Sequence, residues 1–189
     1  MNDQHSDSFS ARHYIVIAFL DLLDKSPFDK ISVSQIVKKA GISRSTFYLH
    51  FLDKYDLMDK LTEHITDEFL SHYQVYDKES VSAAPNQVQK TTLEICKHMM
   101  TYKSFYNQQL RNPVFIHYLS QQLFEQLVHV YRHKGYATFA GYGTIGYLTQ
   151  WIHGGFELSP IEAATELSSI GLTNWSQYSF QRFNENDQI

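Results

Sequence analysis

The sequence predicts an all-α fold, on three observations. Apolar residues recur at steps of three and four through nearly every periodic segment, the spacing of one helical face. No segment alternates apolar and polar residues as a half-buried strand would. Serines suited to open helices, and glycines and prolines suited to end them, punctuate runs of helical length. At 189 residues, 43% apolar and 15% aromatic, the chain can bury one generous core, or a small head and a larger body.

The first helix is expected from Ser10 as N-cap, with Ala11, Ile15, Ala18, Leu22 and Leu23 on its inner side. Ser26 and Pro27 should end it, because the residue before proline resists the α conformation. Ser32 and Gln35 have the spacing of a capping box and open a short helix through Val37 to Ala40. Gly41 allows a tight turn, and Ser43 caps a second short helix to about Phe51. A longer helix follows from Lys54, with Leu57, Leu61, Ile65 and Phe69 at steps of four. This divides the chain into a three-helix head, residues 1–53, a helical body, 54–171, and a tail, 172–189.

The polar run 77–86 is the clearest break within the body. Beyond it, helices are expected near 87–101, 104–110, 113–134, 137–153 and 159–171, punctuated by Gly135, by Gly154 and Gly155, and by Ser159 and Pro160. Ser159, Pro160 and Glu162 combine an N-cap, a proline at the first helical position and an acid in the first turn. The tail is polar but carries Trp175, Tyr178, Phe180 and Phe183.

Composition excludes several classes. The formal net charge is −4, from 16 Lys and Arg against 20 Asp and Glu, which argues against a uniformly basic nucleic-acid binder. The charge is uneven, however. Residues 1–60 hold 8 basic and 8 acidic side chains, and 30–52 contain Lys30, Lys38, Lys39 and Arg44 with no acid. Such an island can face a polyanion locally, since charge is screened within about 10 Å. The single cysteine, Cys96, excludes an intrachain disulfide and a cysteine-based zinc cluster. The first ten residues lack the basic start of a secretory signal, and the apolar run 14–20 is far shorter than the roughly 20 residues that span a bilayer. A cytoplasmic protein without membrane contact is the expectation.

The two short helices, joined through Ala40, Gly41 and Ile42, have the pattern of a helix-turn-helix. Ile31, Val33, Ile36, Val37, Ile42 and Phe47 supply its core. The second helix presents Arg44, Ser45, Thr46, Tyr48 and His50, and its N-terminal end combines free N–H groups, hydroxyls and one arginine. That end can hydrogen-bond phosphates and reach base edges in a major groove.

The run 28–57, FDKISVSQIVKKAGISRSTFYLHFLDKYDL, resembles the head of the tetracycline-repressor (TetR) family in its Ala-Gly-Ile-Ser turn, its Thr-Phe-Tyr and His-Phe pairs and the lysine that follows. The likeness covers about residues 10–60. It implies a one-component regulator: a homodimer with an N-terminal DNA-binding head and a helical C-terminal body that dimerises and often binds a small molecule. It also implies that Ser34 touches backbone or a groove edge, that Arg44, Ser45 and Thr46 read or position at the recognition-helix tip, that Tyr48 and Lys54 meet phosphate, and that His50, the histidine neighbouring that tyrosine in the family, belongs to the DNA-binding set. Ser26 and Pro27 depart from the family's usual Lys/Glu-Gly before Phe28. By the residues alone, Tyr48 could equally pack beneath the head, and His50 could cap a helix C-terminus as a cation. Lys38 and Lys39 are expected to be solvated.

In the body, residues 141–146 spell GxGxxG, but no strand precedes them, so the context of a dinucleotide fingerprint is missing. Ala137, Ala140, Gly141 and Thr144, with Leu148 beside them, instead make a small-residue face that lets another helix approach. The resemblance implies a four-helix dimer interface from the last two body helices, which assigns Gly141, Thr144, Leu148, Trp151, Ala164 and Leu167 to it. This stretch also resembles the C-terminal domain common in regulators of the family from Firmicutes, through the Trp151 helix and the Ser-Pro-x-Glu start. Tyr102, Phe105, Tyr106, Phe115, Tyr118 and Tyr147 are the candidate lining of a ligand pocket, in a composition that also suits a helix core. Glu125, His129 and His133 share a helical face, but a structural zinc site takes four ligands and this helix shows at most three, so no metal is expected. No cofactor is implied either, and no nucleophile–base spacing, paired carboxylate or phosphate loop supports an enzyme. The expected function is a DNA-binding regulator of transcription, a repressor that binds a palindromic operator as a homodimer under small-molecule control. The alternative is a ligand-independent or partner-protein-dependent regulator or activator.

Overall fold

The computed structural model describes residues 3–73, 85–131 and 133–172. Among these are nine α-helices, one 3-10 turn and no strand. The order is α1 (Asp3–Leu23), the 3-10 turn (Phe28–Lys30), α2 (Val33–Ala40), α3 (Arg44–His50), α4 (Lys54–Ser71), α5 (Pro85–Thr101), α6 (Lys103–Gln109), α7 (Pro113–Tyr131), α8 (Lys134–His153) and α9 (Pro160–Leu172). The all-α class is as the sequence predicts, and the helices follow the expected order with ends shifted by up to three residues in the body. The first helix is longer than expected. It runs back to Asp3, so Ser10 lies within it and does not cap it. The break at 77–86 lies outside the described residues as far as 84, and Pro85 already opens α5. The tail from 173 onward, with Trp175, Tyr178, Phe180 and Phe183, also lies outside them.

Local chemistry sets the head. Pro27, at φ −57° and ψ 145°, turns the chain out of α1 and into the 3-10 turn. The Ser32 N–H donates to Gln35 Oε1 at 2.8 Å, and the Gln35 N–H donates back to Ser32 Oγ at 3.3 Å. That reciprocal box satisfies two of the donors that every helix start leaves over. Gly41 ends α2 at φ +68°, a left-handed conformation that costs glycine nothing. Ile15, Phe19, Ile31, Ile36, Val37, Phe47 and Phe51 are buried between α1, α2 and α3, with Val33 and Ile42 packed against them.

The body is built in pairs: α7 packs on α8, and α5 on α9. Gly141 lies where α7 and α8 approach. A Cβ at that position would sit 3.2 Å from the backbone nitrogen of Phe124, so only glycine fits without a shift. Trp151 closes the far end, donating from Nε1 to the Leu158 carbonyl at 3.0 Å and stacking edge-on against Phe156. Ser159 and Glu162 form a second capping box at α9, which holds the Glu162 carboxyl below its ordinary range.

Two elements join head to body. Helix α4 leaves the head and enters the body as one rod, burying Leu57, Leu61, Ile65 and Phe69 along its length. Helix α6 is short but touches both parts. Ser104 donates to Asp24, the residue after α1, at 3.2 Å, and Gln109 donates to Thr62 of α4 at 3.0 Å.

Candidate nucleic-acid interface

Helix α3 buries one face and displays the other. Phe47 is sequestered in the head core, while Arg44, Ser45, Tyr48 and Leu49 are exposed. The N-terminal end is a cluster of hydroxyls. Ser43 Oγ accepts the Thr46 N–H at 3.0 Å and lies 2.7 Å from Ser45 Oγ and 2.8 Å from Thr46 Oγ1. Arg44 is steered by a neighbour on the other short helix: its Nη2 donates to Ser34 Oγ. Arginine, serine and threonine side chains of this kind bond equally to phosphate oxygens and to base edges.

The structure therefore brings Ser34, Arg44, Ser45 and Thr46 together at one corner of the head. Tyr48 stands beside them, 54% exposed, its ring edge-on to Phe47. It does not pack beneath the head. His50 is half-buried with its ring against Phe51, and its carbonyl accepts a long hydrogen bond from Lys60 at 3.4 Å. Lys38 and Lys39 are both exposed, and at the surface Lys39 pairs with Asp21 at 2.9 Å, linking α2 to α1.

Lys54 has a different occupation from the one the resemblance implies. Its ammonium donates to the carbonyl oxygens of Phe28, Asp29 and Ile31 at 3.1, 3.2 and 2.9 Å and lies over the rings of Phe28 and Tyr55. All three of its donors are thus engaged by the exit of the 3-10 turn, where cations suit the exposed carbonyls. Asp53 caps α4 by accepting from the Tyr55 and Asp56 N–H groups. Asp56 in turn accepts the Leu52 N–H at 2.8 Å and pairs with Lys60 at 3.0 Å, which keeps its carboxyl below the usual range. The link from α3 to α4 is held at both of its ends.

The six aromatic residues expected to line a pocket do not converge. Phe105, Tyr106 and Phe115 are buried in the body core, and Phe105 stacks edge-on against both of the others. Tyr118 lies at the surface, and Tyr147 faces α9, donating to Glu166 at 2.7 Å. Tyr102 and Tyr106 instead belong to a polar cluster at the α4–α5–α6 seam. His98 Nε2 and Tyr106 Oη are 2.9 Å apart, His98 Nδ1 lies 3.5 Å from Glu68, and Tyr102 donates to Glu68 at 2.8 Å. Burial lowers His98 to about 4, and burial together with the bond to Glu68 raises Tyr102 to about 12. The concavities described are open clefts: about 250 Å³ between α5 and α9, and about 230 Å³ at Gln121, Phe124, Thr138 and Tyr142.

Among the described residues, no three of His, Cys, Asp and Glu lie close enough to hold a metal ion. Glu125 accepts from Gln121, and the His133 ring stacks on Tyr136. Cys96 is buried, which pushes its thiol up to about 12. No helix among the described residues is long and apolar enough to cross a membrane.

Four of the six interface residues expected in α8 and α9 need correction. Gly141, Leu148, Trp151 and Ala164 are buried within the chain, while Thr144 and Leu167 are half-buried. The small-residue face does admit a close helix, but that helix is α7 of the same chain. The outward face of α8 carries Tyr136, Phe139, Gly143 and Gly146, and a Cβ at either glycine would meet nothing within 4 Å.

Residues 17–61 match the family model for bacterial regulatory proteins of the tetR family. Two relatives from Bacillus subtilis (strain 168) align with part of the chain. The uncharacterized HTH-type transcriptional regulator YvdT is 39% identical over 51 residues, which is 27% of this chain and 26% of that protein. The uncharacterized HTH-type transcriptional regulator YxbF is 31% identical over 71 residues, 37% of this chain and 17% of that one. The aligned part thus spans about a quarter or less of either relative. Among solved structures, the dihydroxyacetone kinase operon activator DhaS shares the fold over 86% of this chain and 94% of its own, with a TM-score of 0.64 and 20% identity. Residues 17–61, which hold the helix-turn-helix described above, are thus similar to the tetR family of bacterial regulatory proteins, and the chain shares its all-helical architecture with DhaS.

Proposed function

We propose that the protein regulates transcription by binding a palindromic DNA operator as a homodimer. One observation carries this reading: α3 buries Phe47 and turns Arg44, Ser45 and Tyr48 outward, with Ser34 beside Arg44 at the same corner. Hydrogen-bond donors on an exposed short helix braced by a second helix suit entry into a major groove. Gel shifts on promoter fragments, including the one upstream of the protein's own gene, test it. Retardation of a specific fragment is expected, and a chain that retards none of them has another function.

Dimerisation is assigned to the outward face of α8 with the adjoining face of α9. Phe139 and Tyr136 are exposed on α8, and Gly143 and Gly146 leave room for a helix from a second copy. Two heads would then be related by a two-fold axis, as a palindrome requires.

Control by a small molecule would act through the seam of α4, α5 and α6, where Glu68, His98, Tyr102 and Tyr106 place polar groups in an otherwise aromatic interior. Helix α4 contacts the head through Lys54 and α6 does so through Ser104, so opening that seam would shift it. The filled packing around Phe105, Tyr106 and Phe115 favours a second reading: regulation without a ligand, or by a partner protein. DhaS is described as an operon activator, so a reporter fused to the bound promoter has to read both activation and repression.

A further inference from the structure

The recognition helix ends in an apolar surface that none of its polar contacts explains. Leu49 is 82% exposed and Leu52 is 79% exposed, the two most exposed large apolar side chains among the described residues. Ser45 and Leu49 are four residues apart on α3, so they share a face, and Tyr48 stands beside them. Phe47 and Phe51 meanwhile satisfy the head core from the inner side. A single exposed leucine is ordinary. A leucine in line with the hydroxyl cluster, one helical turn along the same displayed face, is instead continuous with the candidate DNA interface.

The major-groove edge of DNA carries only one apolar group, the C5-methyl of thymine. We infer that Leu49 reads a thymine C5-methyl in each half-site and so adds a sequence preference that Arg44 and Ser45 cannot supply. This rests on the head being a DNA interface. Arg44 and the hydroxyls discriminate by donors and acceptors, whereas Leu49 discriminates by covering a methyl and excluding water from it. Leu52, which follows the Phe51 cap, has its N–H bonded to Asp56 as the chain turns toward α4, so Leu49 is the leucine carried on the helix itself.

The test uses the full-length chain and a duplex selected from a random-sequence pool. Each thymine of the selected site, with its symmetry mate, is replaced by deoxyuridine, which removes the methyl and keeps the base pair. At one position the wild type should bind about fourfold more weakly per half-site, the worth of one buried carbon. Leu49→Ala should bind the thymine and deoxyuridine duplexes equally at that position, and Leu49→Met should restore the difference. An unchanged deoxyuridine penalty in Leu49→Ala, its disappearance in Leu52→Ala instead, or no penalty at any thymine overturns the inference while leaving DNA binding intact. Failure to select any duplex overturns the reading of the head, and this inference with it.

Discussion

The ammonium of Lys54 donates to the carbonyl oxygen of Ile31 at 2.9 Å, tying the first turn of α4 to the residue that leads into α2. With the carbonyls of Phe28 and Asp29 also in reach, Lys54 is a clamp on the head. Lys54→Met should lower stability by about 1.5 kcal/mol, the low end for bonds from a charged donor because the site is only half-buried. The slope of log binding constant against log salt should stay unchanged. If Lys54 met phosphate, that slope would fall by about one per head, so a salt titration separates the two roles.

Arg44 and Ser34 should behave as a unit, because Ser34 Oγ fixes where the guanidinium points. Arg44→Ala is expected to cost about 1–3 kcal/mol at one base pair per half-site and to relax preference there. Ser34→Ala should relax the same base pair by less. Binding titrations on the selected duplex and its single-base variants check this, and a Ser34→Ala effect spread evenly over all duplexes would make Ser34 a backbone contact.

The helix-turn-helix was legible because its chemistry is local. A capping box needs only Ser32 and Gln35, and a left-handed turn needs only Gly41. Partners distant in sequence were not legible. Nothing near Lys54 in sequence shows that the carbonyls of residues 28–31 will enclose it. The small-residue face of α8 shows that a helix approaches, yet not which one, and the structure gives α7 that place through Gly141. Leu49 is not legible as a contact, because an apolar residue out of phase with a helical core looks incidental until its exposure is known. Phe105 and Tyr106 suited a pocket and a core equally, and only packing separates the two.

Phe139, 66% exposed on the outward face of α8, gives the cleanest test of the assigned dimer. Phe139→Glu should produce monomers by analytical ultracentrifugation at micromolar concentration while helix content and melting of the monomer unit are retained. Wild-type chain that is already monomeric there would remove the assignment. Gly141→Glu is the contrasting variant: it should unfold the α7–α8 pair, because its side chain would meet the Phe124 backbone.

His98 should make stability depend on pH. Burial holds it neutral in the folded state, at about 4 against 6.5 when free. Between those values the unfolded chain binds the extra proton. Stability from this group is therefore complete above about pH 6.5 and lost as pH falls toward 4, at a slope approaching 1.4 kcal/mol per pH unit. His98→Gln keeps a polar partner for Tyr106 and does not titrate, so its denaturation midpoint should change less over this window. Urea unfolding at pH 7.5, 6 and 5 measures the difference, and equal slopes in the two proteins would exclude His98 as the source.

Tyr48 should serve affinity without reading sequence, since an exposed phenol on the rim of α3 suits phosphate oxygens. Tyr48→Phe is expected to weaken binding to the selected duplex and to a scrambled one by the same factor. A loss confined to the selected duplex would move Tyr48 to the base edges.

Selection of bound duplexes from a random pool tests the central claim most directly. Two heads related by a two-fold axis should enrich an inverted repeat whose half-site centres lie about 34–36 Å apart, or a multiple of one DNA turn. Recovery of such a repeat, and its loss with Arg44→Ala, is the predicted result. Enrichment of a single unrepeated site, or of no sequence at all, would contradict it.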